Sequence, residues 1–141
     1  MESKAKAIWK GSLKEGSGTI STSSNALKNV EYAFKTRFEG ASGTNPEELI
    51  AASHAACFSM ALSAELGKSG ITPQSVETSA AVVLEKQGEG FGVTQSNLTA
   101  TVNAPGADRG AIEKAAAGAK EGCPISKLLN ARISLELSIN T

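Results

Sequence analysis

The alternation of apolar and polar positions marks the N-terminal third of the chain as strand-rich. Short alternating runs over Ala5 to Lys10, Gly18 to Ser23 and Glu31 to Phe38 predict three strands, separated by turn-forming segments. In the third run, aromatic and threonine side chains occupy every second position and therefore share one face of the strand.

A long run of apolar and small side chains predicts a central helix. Asn45 is a suitable N-cap, Pro46 fits the first helical position, and acidic residues 47 and 48 suit the positive N-terminus of a helix. The run LIAASHAACFSMALSAEL follows, and the glycines from Gly67 onward end it. Because apolar and small residues lie on all sides, we expect this helix to be buried and another backbone to approach it closely.

Two longer strands follow the central helix. The run from Val76 to Leu84 alternates cleanly. The run from Phe91 to Val102 also alternates, but its apolar positions change phase near the middle. A change of phase moves side chains to the opposite face of the sheet, so we expect a bulge near residues 95 to 97.

The last quarter of the chain predicts two helices and a strand. Asp108 can cap the first helix, Cys123 precedes a proline as the cap of a short second one, and residues 131 to 139 alternate strictly. The order is βββ-α-ββ-αα-β. Successive hairpins favour antiparallel sheets with helices on one side, which is the α+β class. A length of 141 residues favours a single domain over residues 1–141.

Composition and charge exclude several classes of partner. Fourteen basic side chains balance fourteen acidic ones, so we expect no binding to nucleic acid. The first residues lack an apolar core, which predicts no signal peptide and a cytoplasmic protein. The apolar segment from Leu49 to Ala64 contains His54 and three serines and is too short for a membrane span, so we expect no membrane partner.

Cysteine and histidine are scarce. Two cysteines in a cytosolic protein are more often reduced, catalytic or redox-active than a structural disulfide. Two cysteines and one histidine are too few for a closed zinc site unless carboxylates or a second chain contribute, so we expect no metal.

Cys57 lies in the middle of the predicted central helix and has two interpretations. It is either an inert small hydrophobe or a nucleophile, and burial alone would raise its pKa. A nucleophilic thiolate there needs a nearby cation. His54 lies one helical turn away and Arg37 precedes the helix, although each also fits a purely structural role. The positive N-terminus of the helix is a sufficient structural reason for acidic residues at Glu47 and Glu48, so their presence alone does not indicate a catalytic role.

Cys123 lies between a glycine and a proline, at the predicted start of a short helix, where a thiolate is stabilised. It is 66 residues from Cys57, so the chain has no CxxC motif. The two thiols can form a disulfide if their Cα atoms come within about 4.4–6.8 Å. They can equally be two unrelated buried thiols.

Two stretches of the chain resemble a known family. TRFEGASGTNPEELIAASHAACFSMAL, with GCPISKLL further on, is similar to osmotically inducible protein C (OsmC) and to the related organic hydroperoxide resistance (Ohr) proteins, and closer to the OsmC branch. The resemblance implies a thiol-dependent peroxidase of organic hydroperoxides. It implies that Cys57 is the peroxidatic cysteine and Cys123 the resolving one, that Arg37 holds the thiolate, and that Glu47 orients this arginine.

The same resemblance implies an OsmC-like fold and an intertwined homodimer with active sites at the subunit interface. It implies no cofactor, and recycling by an external dithiol, which is of the lipoyl type for some members. Residues 47 and 57 are about 15 Å apart along the axis if one straight helix contains both. They can serve one site only if the helix breaks or if Glu47 comes from the partner subunit, and we expect the second arrangement.

Three further expectations concern substrate and rival functions. An apolar pocket is expected to favour organic hydroperoxides over hydrogen peroxide, with residues such as Phe58, Met60, Ile125 and Leu128 around it. The first rival function is a redox sensor or thiol-disulfide oxidoreductase without steady peroxidase turnover. The second is a non-enzymatic binding protein in which the cysteines only pack.

Overall fold

The computed structural model describes residues 1–141 as two compact units, Met1–Leu49 and Ile50–Thr141. The predicted order of elements is found, with one added helix. The elements are β1 (Ala5–Lys10), β2 (Ser17–Thr22), β3 (Val30–Ala33), α1 (Phe34–Phe38), α2 (Pro46–Lys68), β4 (Ser75–Gln87), β5 (Gly90–Asn103), α3 (Arg109–Gly122), α4 (Pro124–Leu128) and β6 (Arg132–Asn140). A single domain over residues 1–141 stays a prediction.

The first unit is built on an antiparallel sheet in the order β1-β2-β3. Gly18 in the middle strand pairs with Trp9 on one side and with Tyr32 on the other. The two rings meet with their centroids 5.4 Å apart, and a Cβ at Gly18 would lie 2.5 Å from the Tyr32 ring. Glycine is therefore required at this position, since any side chain would displace the tyrosine.

The prediction that the third strand continues to Phe38 was wrong, because the chain turns into helix α1 after Ala33. The Thr36 hydroxyl accepts a hydrogen bond from the Ala33 N–H (3.0 Å) and donates one to the Ala33 carbonyl (2.9 Å), which closes the turn. The Phe34 and Phe38 rings, four residues apart, then pack with centroids 4.8 Å apart. Arg37 consequently projects from a helical turn rather than from a strand.

Helix α2 begins as predicted. The Asn45 side-chain oxygen accepts a hydrogen bond from the Glu48 N–H at 2.8 Å. A stripe with a spacing of four residues is completely buried and comprises His54, Phe58, Leu62 and Leu66. Other parts of the helix surface remain open, and Met60 is 76% exposed. The expectation of a helix buried on all sides therefore does not hold within one chain.

Helix α2 is longer than the apolar segment from Leu49 to Ala64, which by itself is too short for a membrane span. Helix α2 has 23 residues because it extends beyond the apolar run at both ends, and by length and composition alone it could cross a membrane. Its buried stripe instead packs in the core of the second unit, together with side chains of β5 and α3 such as Leu98, Val102 and Ile112.

The sheet of the second unit has the order β4-β5-β6 and is mixed. Strands β4 and β5 are antiparallel, and their register shifts between Val83 and Leu84. As a result, Thr94 of β5 is not paired with any residue of β4 in the strand register. The predicted bulge exists but lies one residue earlier than expected. Strands β5 and β6 are parallel, which corrects the prediction of antiparallel sheets. The cause is the connection through α3 and α4, since a crossover containing helices returns the chain in the same direction.

The short helices confirm the predicted caps. The Asp108 carboxylate accepts a hydrogen bond from the Ala111 N–H at 2.7 Å at the start of α3. Helix α3 ends at Gly122, and Cys123 then occupies the N-cap position of α4. This arrangement fixes the backbone of the second cysteine between two helices.

Candidate active site

The structure brings the two cysteines together, which the sequence left open. Cys57 projects from the middle of α2, and Cys123 stands at the start of α4. Their sulfur atoms are 2.8 Å apart, and both residues are free thiols. Cys123 is completely buried, whereas Cys57 is partly exposed. A disulfide between them requires little rearrangement of the chain.

The surroundings shift the pKa values of the two thiols in opposite directions. Burial raises the pKa of Cys57, and the neighbouring Cys123 raises it further, against a single opposing contact from the Ile125 N–H. Burial would also raise the pKa of Cys123. Its hydrogen bond with Cys57, the N–H groups of Ser126 and Ile125, and the Ser126 hydroxyl outweigh that effect and lower this pKa overall. None of the groups that shift the pKa of Cys57 is a cation, the activator that a thiolate at this position needs.

His54 is not that activator. It is completely buried, with Nδ1 2.6 Å from the Ser96 hydroxyl and Nε2 2.8 Å from the Ser126 hydroxyl. Burial lowers the pKa of the imidazole, which is therefore neutral at pH 7. Both ring nitrogens thus bind serines, and neither of these two contacts involves Cys57.

Arg37 and Glu47 form a two-point ion pair in the first unit. Arg37 Nε donates to Glu47 Oε2 at 3.1 Å and Nη2 donates to Oε1 at 2.8 Å. The Glu47 residue is only 9% exposed, and the guanidinium carbon lies 5.2 Å from the centroid of the Phe38 ring. Two parallel hydrogen bonds fix the plane of the guanidinium. The arginine side chain nevertheless remains 38% exposed, so its outer edge can meet another molecule.

Glu48 contacts Thr44 and Asn45 at the start of helix α2. Its carboxylate accepts a hydrogen bond from the Thr44 hydroxyl at 2.8 Å, and its N–H is held by the Asn45 cap. These contacts fit the helix-terminus role that the sequence indicated, and they leave Glu47 as the only one of the two acids that binds Arg37.

An apolar cavity of about 200 Å³ lies beside Arg37 in the first unit. The sequence did not predict this cavity, although the alternating aromatic residues before the central helix are a signal of it. Its lining comprises Trp9, Leu13, Tyr32, Ala33, Phe34, Arg37, Phe38 and Pro46. The side chains that the sequence predicted around a substrate pocket differ in their exposure. Phe58 is completely buried in the core, while Met60 and Leu128 are 76% and 74% exposed.

Comparison with known proteins places this arrangement in a family. The sequence model of the OsmC-like protein family matches residues 39–138. Peroxiredoxin OsmC of Escherichia coli (strain K12) is 49% identical over 138 residues, which cover 98% of this chain and 96% of that protein. Organic hydroperoxide resistance protein OhrB of Bacillus subtilis (strain 168) is 32% identical over 102 residues, covering 72% of this chain and 73% of the relative.

A solved structure agrees with the sequence matches. The crystal structure of the organic hydroperoxide resistance protein OhrB of Bacillus subtilis superposes with a TM-score of 0.70 at 31% identity, covering 96% of this chain and 98% of that one. The α+β fold with two small sheets and connecting helices is therefore the fold of these proteins. The chain belongs to the OsmC family.

Proposed function

We propose that this protein is a thiol-dependent peroxidase that reduces organic hydroperoxides to alcohols. The observation that carries the proposal is the pair of free thiols with sulfur atoms 2.8 Å apart, one of them partly exposed. Relatives named peroxiredoxin OsmC and organic hydroperoxide resistance protein support the reaction class. Cys57 is the peroxidatic cysteine, Cys123 is the resolving cysteine, and the protein acts in the cytoplasm.

Cys57 needs a cation, and we assign that role to Arg37 of the partner subunit in an intertwined homodimer. Helix α2 is continuous from Pro46 to Lys68, so residues 47 and 57 are separated by about 15 Å along its axis. Glu47 holds Arg37 through two hydrogen bonds, which ties the guanidinium to the start of the helix. The exposed Met60 and Leu128 give the chain apolar surface for a second copy to cover.

The reaction follows from these groups. A positive neighbour favours the ionised Cys57, and arginine can also donate a hydrogen bond to a peroxide oxygen. The thiolate attacks the distal oxygen of ROOH, the O–O bond breaks, and the alkoxide leaves as an alcohol after taking a proton. Cys57 is then a sulfenic acid, and Cys123 condenses with it to a disulfide with loss of water. An external dithiol, such as a lipoyl-type one, restores both thiols by exchange. Sulfur carries the whole redox change.

The test of this function is steady-state consumption of cumene hydroperoxide with an excess of a dithiol. We expect many equivalents of peroxide to be consumed per subunit. Consumption that stops after one equivalent would indicate a redox sensor instead. An unreactive Cys57 whose pKa is at or above the ordinary value of about 8.5 in the assembled protein would indicate a binding protein with packed cysteines.

The aromatic cavity beside Arg37 predicts a substrate preference. A phenyl or alkyl group of the peroxide can enter this cavity, while hydrogen peroxide has no apolar group to bury. Burying one aromatic ring contributes about 1.5–3 kcal/mol, so we expect kcat/KM for cumene hydroperoxide to exceed that for hydrogen peroxide by roughly tenfold or more. Replacing Phe34 by alanine should reduce this ratio and leave the rate with hydrogen peroxide unchanged. Equal kcat/KM values for the two peroxides in the wild type would contradict the role of the cavity.

A further inference from the structure

Two hydrogen bonds join Ser96, His54 and Ser126 of the second unit, and they end three residues after the resolving thiol of Cys123. Ser96 on β5 and His54 on α2 are both completely buried, 2.6 Å apart between Oγ and Nδ1. The opposite ring nitrogen of His54 lies 2.8 Å from the hydroxyl of Ser126 on α4. Ser126 is the third residue after Cys123, a position whose side chain reaches back toward the N-cap of its helix. The proposed reaction assigns no role to Ser96, His54 or Ser126.

The tautomer of His54 decides the direction of the hydrogen bonds, and one tautomer leaves the Ser126 hydroxyl free to donate elsewhere. A neutral imidazole has one donor and one acceptor, and a hydroxyl has a single proton to donate. If Ser126 directs its proton at the Cys123 sulfur, its oxygen must accept from Nε2–H of His54. Nδ1 is then an acceptor and receives the proton of Ser96. In this arrangement the Ser126 hydroxyl keeps its proton for another acceptor, and Cys123 stands at the N-cap of the same short helix.

No charged side chain takes part in the hydrogen bonds that join Ser96, His54 and Ser126. None of the hydrogen bonds of Ser96, His54 or Ser126 comes from a lysine, arginine, aspartate or glutamate. The titratable groups here are therefore the imidazole and the two thiols. Burial raises the pKa of Cys123, but the contact with Cys57, the N–H groups of Ser126 and Ile125 and, last, the Ser126 hydroxyl lower this pKa overall, which agrees with a donor directed at its sulfur.

We propose that His54 is a positioning residue that, backed by Ser96, orients the Ser126 hydroxyl as a donor to the Cys123 sulfur and so speeds formation of the disulfide. The inference rests on the proposed function, in which Cys123 is the resolving cysteine. In that step the Cys123 sulfur attacks the Cys57 sulfur, the S–O bond of the sulfenic acid breaks, and the hydroxyl leaves as water with the proton given up by the Cys123 thiol. The Cys123 sulfur is oxidised and the Cys57 sulfur is reduced by the same amount. A directed donor stabilises the negative charge that develops on Cys123.

Two measurements test the proposal with Ser126→Ala. The first is titration of the Cys123 thiolate by ultraviolet absorbance in a Cys57→Ser background, where we expect titration at higher pH than with Ser126 present. The second is rapid-quench mass spectrometry after one equivalent of cumene hydroperoxide. We expect the disulfide to form about tenfold more slowly, as for loss of a hydrogen bond to a charged group, with the rate of the preceding Cys57 oxidation unchanged.

Two further variants separate positioning from simple support of the fold. Ser59→Ala removes a 2.8 Å hydrogen bond between α2 and β4, to Thr78, that contacts no sulfur, and it should change neither measurement. His54→Gln keeps one acceptor and one donor for the two serines and should retain most of the rate, which His54→Leu should lose.

Equal slowing by Ser59→Ala and Ser126→Ala would overturn the proposal, as would wild-type behaviour of Ser126→Ala in both measurements. The titration uses no peroxide, so it tests the donor to Cys123 even if Cys57 proves unreactive. A wild-type protein that never forms the sulfenic acid would instead refute the proposed function.

Discussion

Replacing Cys57 by serine is expected to abolish peroxide turnover, with a loss of at least about a thousandfold in kcat/KM. A serine hydroxyl stays protonated at neutral pH and cannot be oxidised to a sulfenic acid, so both the nucleophile and the electron donor are removed. The measurement is consumption of cumene hydroperoxide with an excess of dithiol.

Cys123→Ser is the matched control, because it removes a thiol in contact with the same site. This variant should still consume one equivalent of peroxide at the wild-type rate. It then lacks an intramolecular thiol to condense with, so Cys57 should accumulate as sulfenic acid and proceed to sulfinic acid with excess peroxide. If Cys57→Ser kept the first equivalent and Cys123→Ser lost it, the two roles would have to be exchanged.

Replacing Arg37 by methionine is expected to give the second-largest effect, a loss of about ten- to a thousandfold in the rate of Cys57 oxidation at neutral pH. In the proposed mechanism the guanidinium is the cation that offsets the burial of Cys57, and an opposite charge within a few ångströms lowers the pKa of an acid by about one to three. Because thiolate can be formed by raising the pH, the loss should shrink in alkaline solution. A Lys35→Met variant, which removes a cation of the same short helix, should retain the wild-type rate.

If Arg37 acts in the partner's site, the Arg37→Met variant should be complemented by a second inactive variant in mixed dimers. Mixed dimers of Arg37→Met and Cys57→Ser subunits contain one site with both an intact arginine and an intact cysteine. Random exchange in a symmetric dimer should therefore restore about a quarter of the wild-type activity to a mixture of two inactive proteins. Native mass spectrometry verifies that the subunits have exchanged. Verified exchange without recovery would place Arg37 and Cys57 of one site in the same chain.

Patterns of local sequence predicted those parts of the fold that local interactions decide. Asn45 and Asp108 cap the helices at which the sequence placed them, because a cap depends only on the next three residues. The strand predicted through Phe38 failed where Thr36 bonded its own backbone, a local alternative to the strand that alternation alone does not reveal. The parallel pairing of β5 and β6 could not be read from alternation either, since both directions of pairing show the same period.

In the candidate site, too, contacts between residues far apart in the sequence could not be predicted from local patterns. Cys57 and Cys123 lie 66 residues apart, and no spacing rule brings them together, so their contact at 2.8 Å is information from the fold. His54 was visible as a lone buried histidine, but its partners Ser96 and Ser126 lie on other elements and no motif joins them. The resemblance to a family indicated Arg37 and Glu47, whereas their charges and spacing alone did not.

In the proposed reaction Cys57 receives the peroxide oxygen and Cys123 then displaces it. The most direct measurement is rapid-quench mass spectrometry of the wild-type protein after one equivalent of cumene hydroperoxide, with peptides mapped without reduction. We expect a transient gain of one oxygen atom on the peptide that contains Cys57, followed by a crosslink between the peptides of Cys57 and Cys123 with loss of water. Oxygen that appears first on Cys123 or on Met60, or a final product without the crosslink, would contradict it.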